Sequence, residues 1–343
     1  MLRRQLWGTG RPLPRAVRDL EKFMLKYIVK RLLLSVLILL GVSLILFTLI
    51  QNMPSSFAEN KINEMNAGGA IVDQATKDAI MEMYDMSYGD WLKRIVTLDF
   101  GESFTQMMPV TDVIKRDMFV SFLVAAIATV LEFMIAIPLG ITAATHQYSF
   151  RDYLVTVLVM IGISLPSFFF GQVLKGLFAV ELGWFPSSGL GDATQSATGV
   201  AYMLEYVKYL VLPIMTVVIL SIGGRMRMTR TNMLEVLGSD YIRTARAKGL
   251  KERVVIYKHA FRNTMIPLVT SLAGLLPSLF SGAIITEQIF DLPGIGNTAY
   301  DAMIAGDIPV IMGYNMFLAL LSIIGVLLAD LMYAVVDPRV KLQ

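Results

Sequence analysis

Two ionisable side chains stand inside long apolar runs, Glu132 between Leu131 and Phe133 and Lys175 between Leu174 and Gly176. A charge at membrane depth is costly and usually faces a cavity or a partner, so each is a candidate for lining a translocation pathway. Each also has a structural reading: Glu132 as one end of an interhelical hydrogen bond, and Lys175 as a long stem reaching the outer interface. The residue types needed for catalysis are scarce. The two histidines, His146 and His259, have no neighbours at metal-ligand spacing, and no Ser–His–Asp arrangement can be built from them. Gly294-Ile295-Gly296 lacks the third glycine and the strand–helix setting of a dinucleotide loop and reads as a turn. With no cysteine in the chain, disulfides, thiolate metal sites and cysteine nucleophiles are excluded. Neither a metal site nor a catalytic residue is expected, and Asp330 is expected to cap a helix or pair with loop bases.

A different chemistry, that of docking, is suggested by the basic stretch Asp240-Tyr-Ile-Arg-Thr-Ala-Arg-Ala-Lys-Gly-Leu250. Ser239 can cap a short helix with Asp240 in its first turn, Arg246 and Lys248 suit its C-terminus, and Gly249 can take the left-handed cap conformation. A second helix over about 251–262 would use Val254, Val255, Tyr257 and Phe261 as apolar contacts. The small residues Thr244, Ala245 and Ala247 leave little bulk, so a helix–Gly–helix unit here suits a groove on a soluble partner. A solvated, positively charged loop accounts for the same residues without a partner. Nucleic acid is not required, because membrane orientation and protein docking explain the basic charge more simply.

The elements that must position these groups are membrane spans. Of 343 residues 55% are hydrophobic and 17% charged, with a mean hydropathy of +0.61, which is far from the balance of a soluble domain. A bilayer core of roughly 30 Å needs about 20 apolar residues per helix, and six stretches qualify, at about 27–50, 119–144, 154–180, 206–224, 263–289 and 311–335. The net charge of +3 is uninformative, but its distribution is not. Arg3 to Arg31 carry nine basic residues before the first span, Arg225, Arg227, Arg230 and the 243–262 bases follow the fourth, and acidic residues dominate 53–117. By the positive-inside rule both termini and the loop after the fourth span are cytoplasmic, and 53–117 is external.

Residues 1–26 therefore read as a cytoplasmic extension, 27–336 as one transmembrane domain with an external loop at 53–117 and a cytoplasmic loop at 228–262, and 337–343 as a tail. A start at Met1 and a start at Met24 are both compatible with the pattern, and a cleaved signal peptide is not expected. The external segment should form a small ordered cap, with a helix-like stretch over Asp73 to Tyr84. Pro138, Pro166, Pro213, Pro267 and Pro277 fall inside spans, where they are tolerated beside a polar cavity or as packing kinks. Gly140, Ala143 and Ala144 permit close helix packing, and Trp184 and Phe185 fit the outer aromatic belt.

The stretch Asp240 to Leu250 resembles the cytoplasmic coupling motif of binding-protein-dependent ABC importer permeases, in the dipeptide and oligopeptide branch. That motif opens Glu-Ala-Ala with a glycine four residues on. Here Arg243-Thr244-Ala245 and Gly249 keep the spacing without the leading acid, and the later apolar–proline element falls at Ile266-Pro267. Leu98-Asp-Phe-Gly-Glu-Ser103, Ile163-Ser-Leu-Pro-Ser-Phe168, Leu182-Gly-Trp-Phe-Pro186, Glu287 to Phe290, Pro293-Gly-Ile-Gly296, Asp307-Ile-Pro309 and Asp337-Pro-Arg339 are similar to the same branch in the same order. The resemblance is strongest to the B-type subunit with its large external loop.

That resemblance implies an all-α integral membrane fold of six transmembrane helices, of the type I importer kind, in the bacterial inner membrane. It implies a paralogous second permease, two P-loop ATPase subunits carrying ATP and Mg2+, and an extracytoplasmic peptide-binding protein as partners. It assigns ATPase coupling to Asp240, Arg243, Thr244, Ala245, Arg246, Ala247, Lys248 and Gly249. ATP would bind on a partner, because this chain has no Gly-x-x-x-x-Gly-Lys-Ser/Thr run. The cargo stays open among oligopeptides, dipeptides, nickel, glutathione and other small solutes, since the binding protein largely sets it. A self-contained secondary transporter or channel would instead show internal repeats and midplane ion-coupling residues, and neither is evident.

Overall fold

The structure, a computed structural model, describes residues 15–52, 62–63, 74, 77–78, 81–82, 86–190, 200–271 and 275–336. Among these residues there are helices and turns but no strand, only an isolated bridge between Glu102 and Pro109. The expected tail at 337–343 and most of the expected helix at 73–84 lie outside the described residues.

The first helix, α1 (Arg15–Gln51), begins well before the expected span and has its apolar section at Leu33–Gln51. Most of that section is exposed, Leu33, Leu37, Ile45 and Leu49 included, as a helix facing lipid requires. Residues 86–109 then fold back on it. Ser87 caps α2 (Tyr88–Val96) by accepting from the Asp90 amide, and buried Trp91 donates from Nε1 to Ser43 Oγ of α1 at 3.2 Å. Phe100 and Phe104 join the same apolar cluster as Ile308, Val310 and Met312. Residues 86–109 thus form a cap packed on one end of the bundle.

The centre of the bundle is the pair α3 (Val110–Thr145) and α6 (Val200–Leu237). They approach closely at Gly140, where an added Cβ would lie 2.6 Å from Thr229 Cβ and 2.8 Å from the Met226 carbonyl oxygen. Buried Ala136, Ala143 and Met226 fill the same contact. Between them in sequence, α4 (Phe150–Ser164) is followed by α5 (Ser167–Leu174), which continues as a π-helix over Lys175–Glu181.

After α6 come α7 (Asp240–Ala247), α8 (Glu252–Val254) with a π-helical extension at Val255–Phe261, and α9 (Arg262–Thr270). Three short helices follow, α10 (Leu275–Phe280), α11 (Ile284–Phe290) and α12 (Ile295–Ala305), before the long α13 (Ile308–Val336).

Among the described residues, four helices are long and apolar enough to cross a membrane, with sections Leu33–Gln51, Val110–Thr145, Glu205–Leu237 and Ile308–Leu328. The third and fifth expected spans are not continuous helices. The third is divided between α4 and α5, bent by 102°. The cause is local: a proline disfavours helical geometry in the residue before it, and Leu165 is extended at φ −88°, ψ 136°. With this bent pair counted as one crossing there are five. The fifth, 263–289, is divided among α9, α10 and α11, with Pro267 inside α9 and Gly282 at φ +73° between α10 and α11.

Candidate docking loop and polar cavity

The loop at 238–262 is built against the bundle. Gly238 and Ser239 donate their amides to Leu234 and Val236 and end α6. Ser239 takes the N-cap position of α7, but its hydroxyl bonds back to the Val236 carbonyl at 2.6 Å, so the expected side-chain cap is not made. Ile242 and Ala245, three apart on one helix face, are buried with Ile141, Ala144, Met233, Val255 and Ala260. The chain reverses at Gly249, whose φ of +73° is the left-handed conformation its sequence position called for. Across that turn Arg246 donates to both carboxylate oxygens of Glu252, at 3.2 and 2.7 Å. This bond holds the Glu252 carboxyl below its ordinary range and raises the Arg246 guanidinium.

Of the eight residues expected to couple, Asp240, Arg243, Thr244, Arg246, Ala247, Lys248 and Gly249 are exposed and Ala245 is buried. The structure thereby separates an exposed face of the hairpin from one seated on the bundle. Among the expected apolar contacts of the second helix, Val255 is fully buried and Phe261 half-buried, whereas Val254 and Tyr257 are exposed. Together with Tyr241 and Leu250 they give this face exposed apolar side chains amid its charges.

A second feature lies between the long helices. A cavity of about 300 Å3 is lined by Ser121, Thr129 and Glu132 of α3, Ser221 and Arg225 of α6, and Ser278 of α10, with Val124, Val217 and Leu275 among its apolar walls. Glu132 is 8% exposed. Its Oε1 accepts from Arg225 Nε at 3.0 Å, Arg225 Nη1 donates to Ser271 Oγ at 2.6 Å, and the guanidinium lies 4.5 Å from the Phe133 ring centroid. Arg225, read from sequence as a base of the cytoplasmic loop, is thus a partner inside the bundle. It was missed because it sits two residues before Arg227 and five before Arg230, and α6 continues to Leu237. Arg230 likewise forms a two-bond pair with Asp152 of α4, at 2.9 and 2.8 Å.

Lys175 does not line this cavity. It is half-buried, and its Nζ donates to the Ile289 carbonyl at 2.6 Å, tying the π-helical end of α5 to α11. The two charges expected on a pathway are therefore not brought together. Two further buried acids carry no signal in their spacing alone. Glu287 accepts from Ser121 Oγ at 2.7 Å and from the amides of Ala283 and Asn297, and Asp307 accepts from Ser103 Oγ and from both the amide and hydroxyl of Thr105. Among the described residues no group of three metal-ligating side chains occurs. His146 bonds locally, to Thr142 and Thr145, and Gly294 leads into α12 as a turn.

A bundle of long apolar helices with an exposed basic hairpin on one side is the form of a membrane transport component. Residues 136–342 match the family of binding-protein-dependent transport system inner membrane components. The chain belongs to that family: it is a multi-pass membrane permease component and not an enzyme. It is 35% identical to the oligopeptide transport system permease protein AppB of Bacillus subtilis, over 93% of this chain and 100% of that one. It is 34% identical to the dipeptide transport system permease protein DppB of Alkalihalophilus pseudofirmus, again over 93% and 100%. Among solved structures, an inward-facing MetNI methionine ABC transporter chain matches with a TM-score of 0.49 at 15% identity, covering 66% of this chain and 97% of that one.

Proposed function

We propose that this chain forms one half of the membrane pathway of an ATP-driven, type I peptide importer, and that its 238–262 hairpin seats in an ATPase subunit. The observation that carries this reading is the two-faced hairpin, with Ile242, Ala245 and Val255 fixed to the bundle and the remaining coupling residues presented outward. A movement of a partner at the outer face would reach α3 and α6 through that buried contact, shifting the bundle between two states. The full complex would pair the chain with a paralogous permease, two P-loop ATPases holding ATP and Mg2+, and an extracytoplasmic binding protein. Both termini would lie in the cytoplasm of a bacterial inner-membrane protein of six passes. The bent α4–α5 pair would supply the third pass and the broken α9–α11 segment the fifth. Segment 53–117 would face outward.

The names of the oligopeptide and dipeptide relatives support peptide as cargo. Uptake of labelled di-, tri- and pentapeptides into proteoliposomes holding the four-subunit complex tests it. The expected result is uptake that requires both ATP and the binding protein. Uptake confined to nickel or glutathione, or proceeding without the ATPases, would refute it.

A further inference from the structure

The Glu132–Arg225 pair uses only part of its hydrogen-bonding capacity. Of the guanidinium, Nε goes to Glu132 Oε1 and Nη1 to Ser271, while no hydrogen bond among the described residues uses Arg225 Nη2 or Glu132 Oε2. Neither atom is sealed from solvent. Among the described side-chain nitrogens and oxygens, Asn232 Nδ2 alone is both buried and unpartnered. The pair therefore presents one unused donor and one unused acceptor, on two groups joined by the Nε–Oε1 bond, and both residues line the cavity between α3, α6 and α10. In an extended chain the N–H and C=O of one residue point to the same side, as a donor and an acceptor that strands pair in register.

We infer that this cavity is a subsite for the main chain of the transported peptide, in which Arg225 Nη2 donates to the carbonyl and Glu132 Oε2 accepts from the amide of a single extended residue. The hydroxyls of Ser121, Thr129, Ser221 and Ser278 can serve as either donor or acceptor to neighbouring amides. The apolar walls at Val124, Val217 and Leu275 tolerate varied side chains. Recognition of the part common to all peptides suits a permease whose cargo differs in sequence. This inference rests on the peptide reading above.

The test uses the complete reconstituted importer and a tripeptide whose backbone nitrogens are methylated one at a time. Each analogue is presented as a preformed complex with the binding protein at equal occupancy. In the wild-type assembly, methylation at one position slows ATP-driven uptake about fivefold, the worth of one net hydrogen bond, and methylation elsewhere has little effect. Because apolar replacement of a whole buried ion pair is often well tolerated, the double variant Glu132→Met, Arg225→Met should reach the membrane and co-purify with the ATPases. It should carry the parent tripeptide more slowly and lose the preference against methylation. Wild-type uptake indifferent to methylation at every position overturns the subsite, and so does a double variant that keeps the preference. If the wild-type assembly carries no peptide at all, the peptide reading itself falls, and the subsite with it.

Discussion

Ala245 and Gly249 lie four residues apart in one short hairpin, and the structure gives them opposite duties. Ala245 is buried against the bundle in an apolar cluster, so Ala245→Asp would place a carboxylate among apolar side chains, at a cost of about 1–3 kcal/mol or more. A Cβ added at Gly249 would meet nothing within 4 Å, but the φ of +73° costs any β-branched replacement about 1–2 kcal/mol of strain. Both variants should lower the midpoint of thermal unfolding of the purified complex. Ala245→Asp should also increase proteolysis at 238–262, whereas Gly249→Val should alter the turn and weaken ATPase co-purification while helix α7 stays seated. Unchanged midpoints in both would contradict this division of the loop. The turn at Gly249 was legible in sequence, because a left-handed helix end is a local property. The burial of Ala245 was not, since its small side chain reads equally as low bulk offered to a partner, and only its tertiary contact with Ile141, Ala144 and Met233 shows that it faces the bundle. Nor was Arg225. Its partners lie 93 and 46 positions away, and only a tertiary contact distinguishes it from the loop bases that follow.

At the scale of elements, the hairpin is braced by Arg246 and Glu252, and the brace should respond to pH. The folded-state pKa of Glu252 is depressed below its ordinary value of 4.5. Its stabilisation is therefore complete above the ordinary value and is lost as pH falls through the lower folded one. Both side chains are about half exposed, so screening limits the contribution to about 0.2–1 kcal/mol. Amide hydrogen exchange over 240–262 should be faster in Glu252→Gln than in wild type near neutral pH, and the difference should vanish once the wild-type carboxyl is protonated. Equal exchange at neutral pH would show that the brace contributes nothing. The elements also mark where sequence reading stopped. Pro166 was expected inside one continuous span, beside a polar cavity or as a packing kink, whereas α4 and α5 diverge by 102°. A proline sets φ at its own position and disfavours helix at the residue before it, while the direction of the departing helix depends on the packing of α5 beside α6 and α11.

For the whole molecule, charge asymmetry predicted two sides, and the folded chain has one apolar cluster built on Trp91, Phe100 and Phe104 and a separate one that seats the 238–262 hairpin. Between Val96 of the cap and Tyr257 of the hairpin the chain passes through α3, the bent α4–α5 pair and α6. If the bent pair crosses, three crossings separate the two residues and place them on opposite sides. If it is re-entrant, two crossings leave them on the same side. Because the chain has no cysteine, a single introduced cysteine reports its own location without background labelling. Val96 and Tyr257 are 78% and 53% exposed, so Val96→Cys and Tyr257→Cys should both react where a reagent can reach them. A membrane-impermeant maleimide should label Val96→Cys in right-side-out vesicles and Tyr257→Cys in inside-out vesicles only. Labelling of both from one side would make α4–α5 a re-entrant element. It would also detach the hairpin from the cytoplasmic ATPases on which the importer reading depends, because the scarcity of Lys and Arg in 53–117 is what places Val96 outside in that reading.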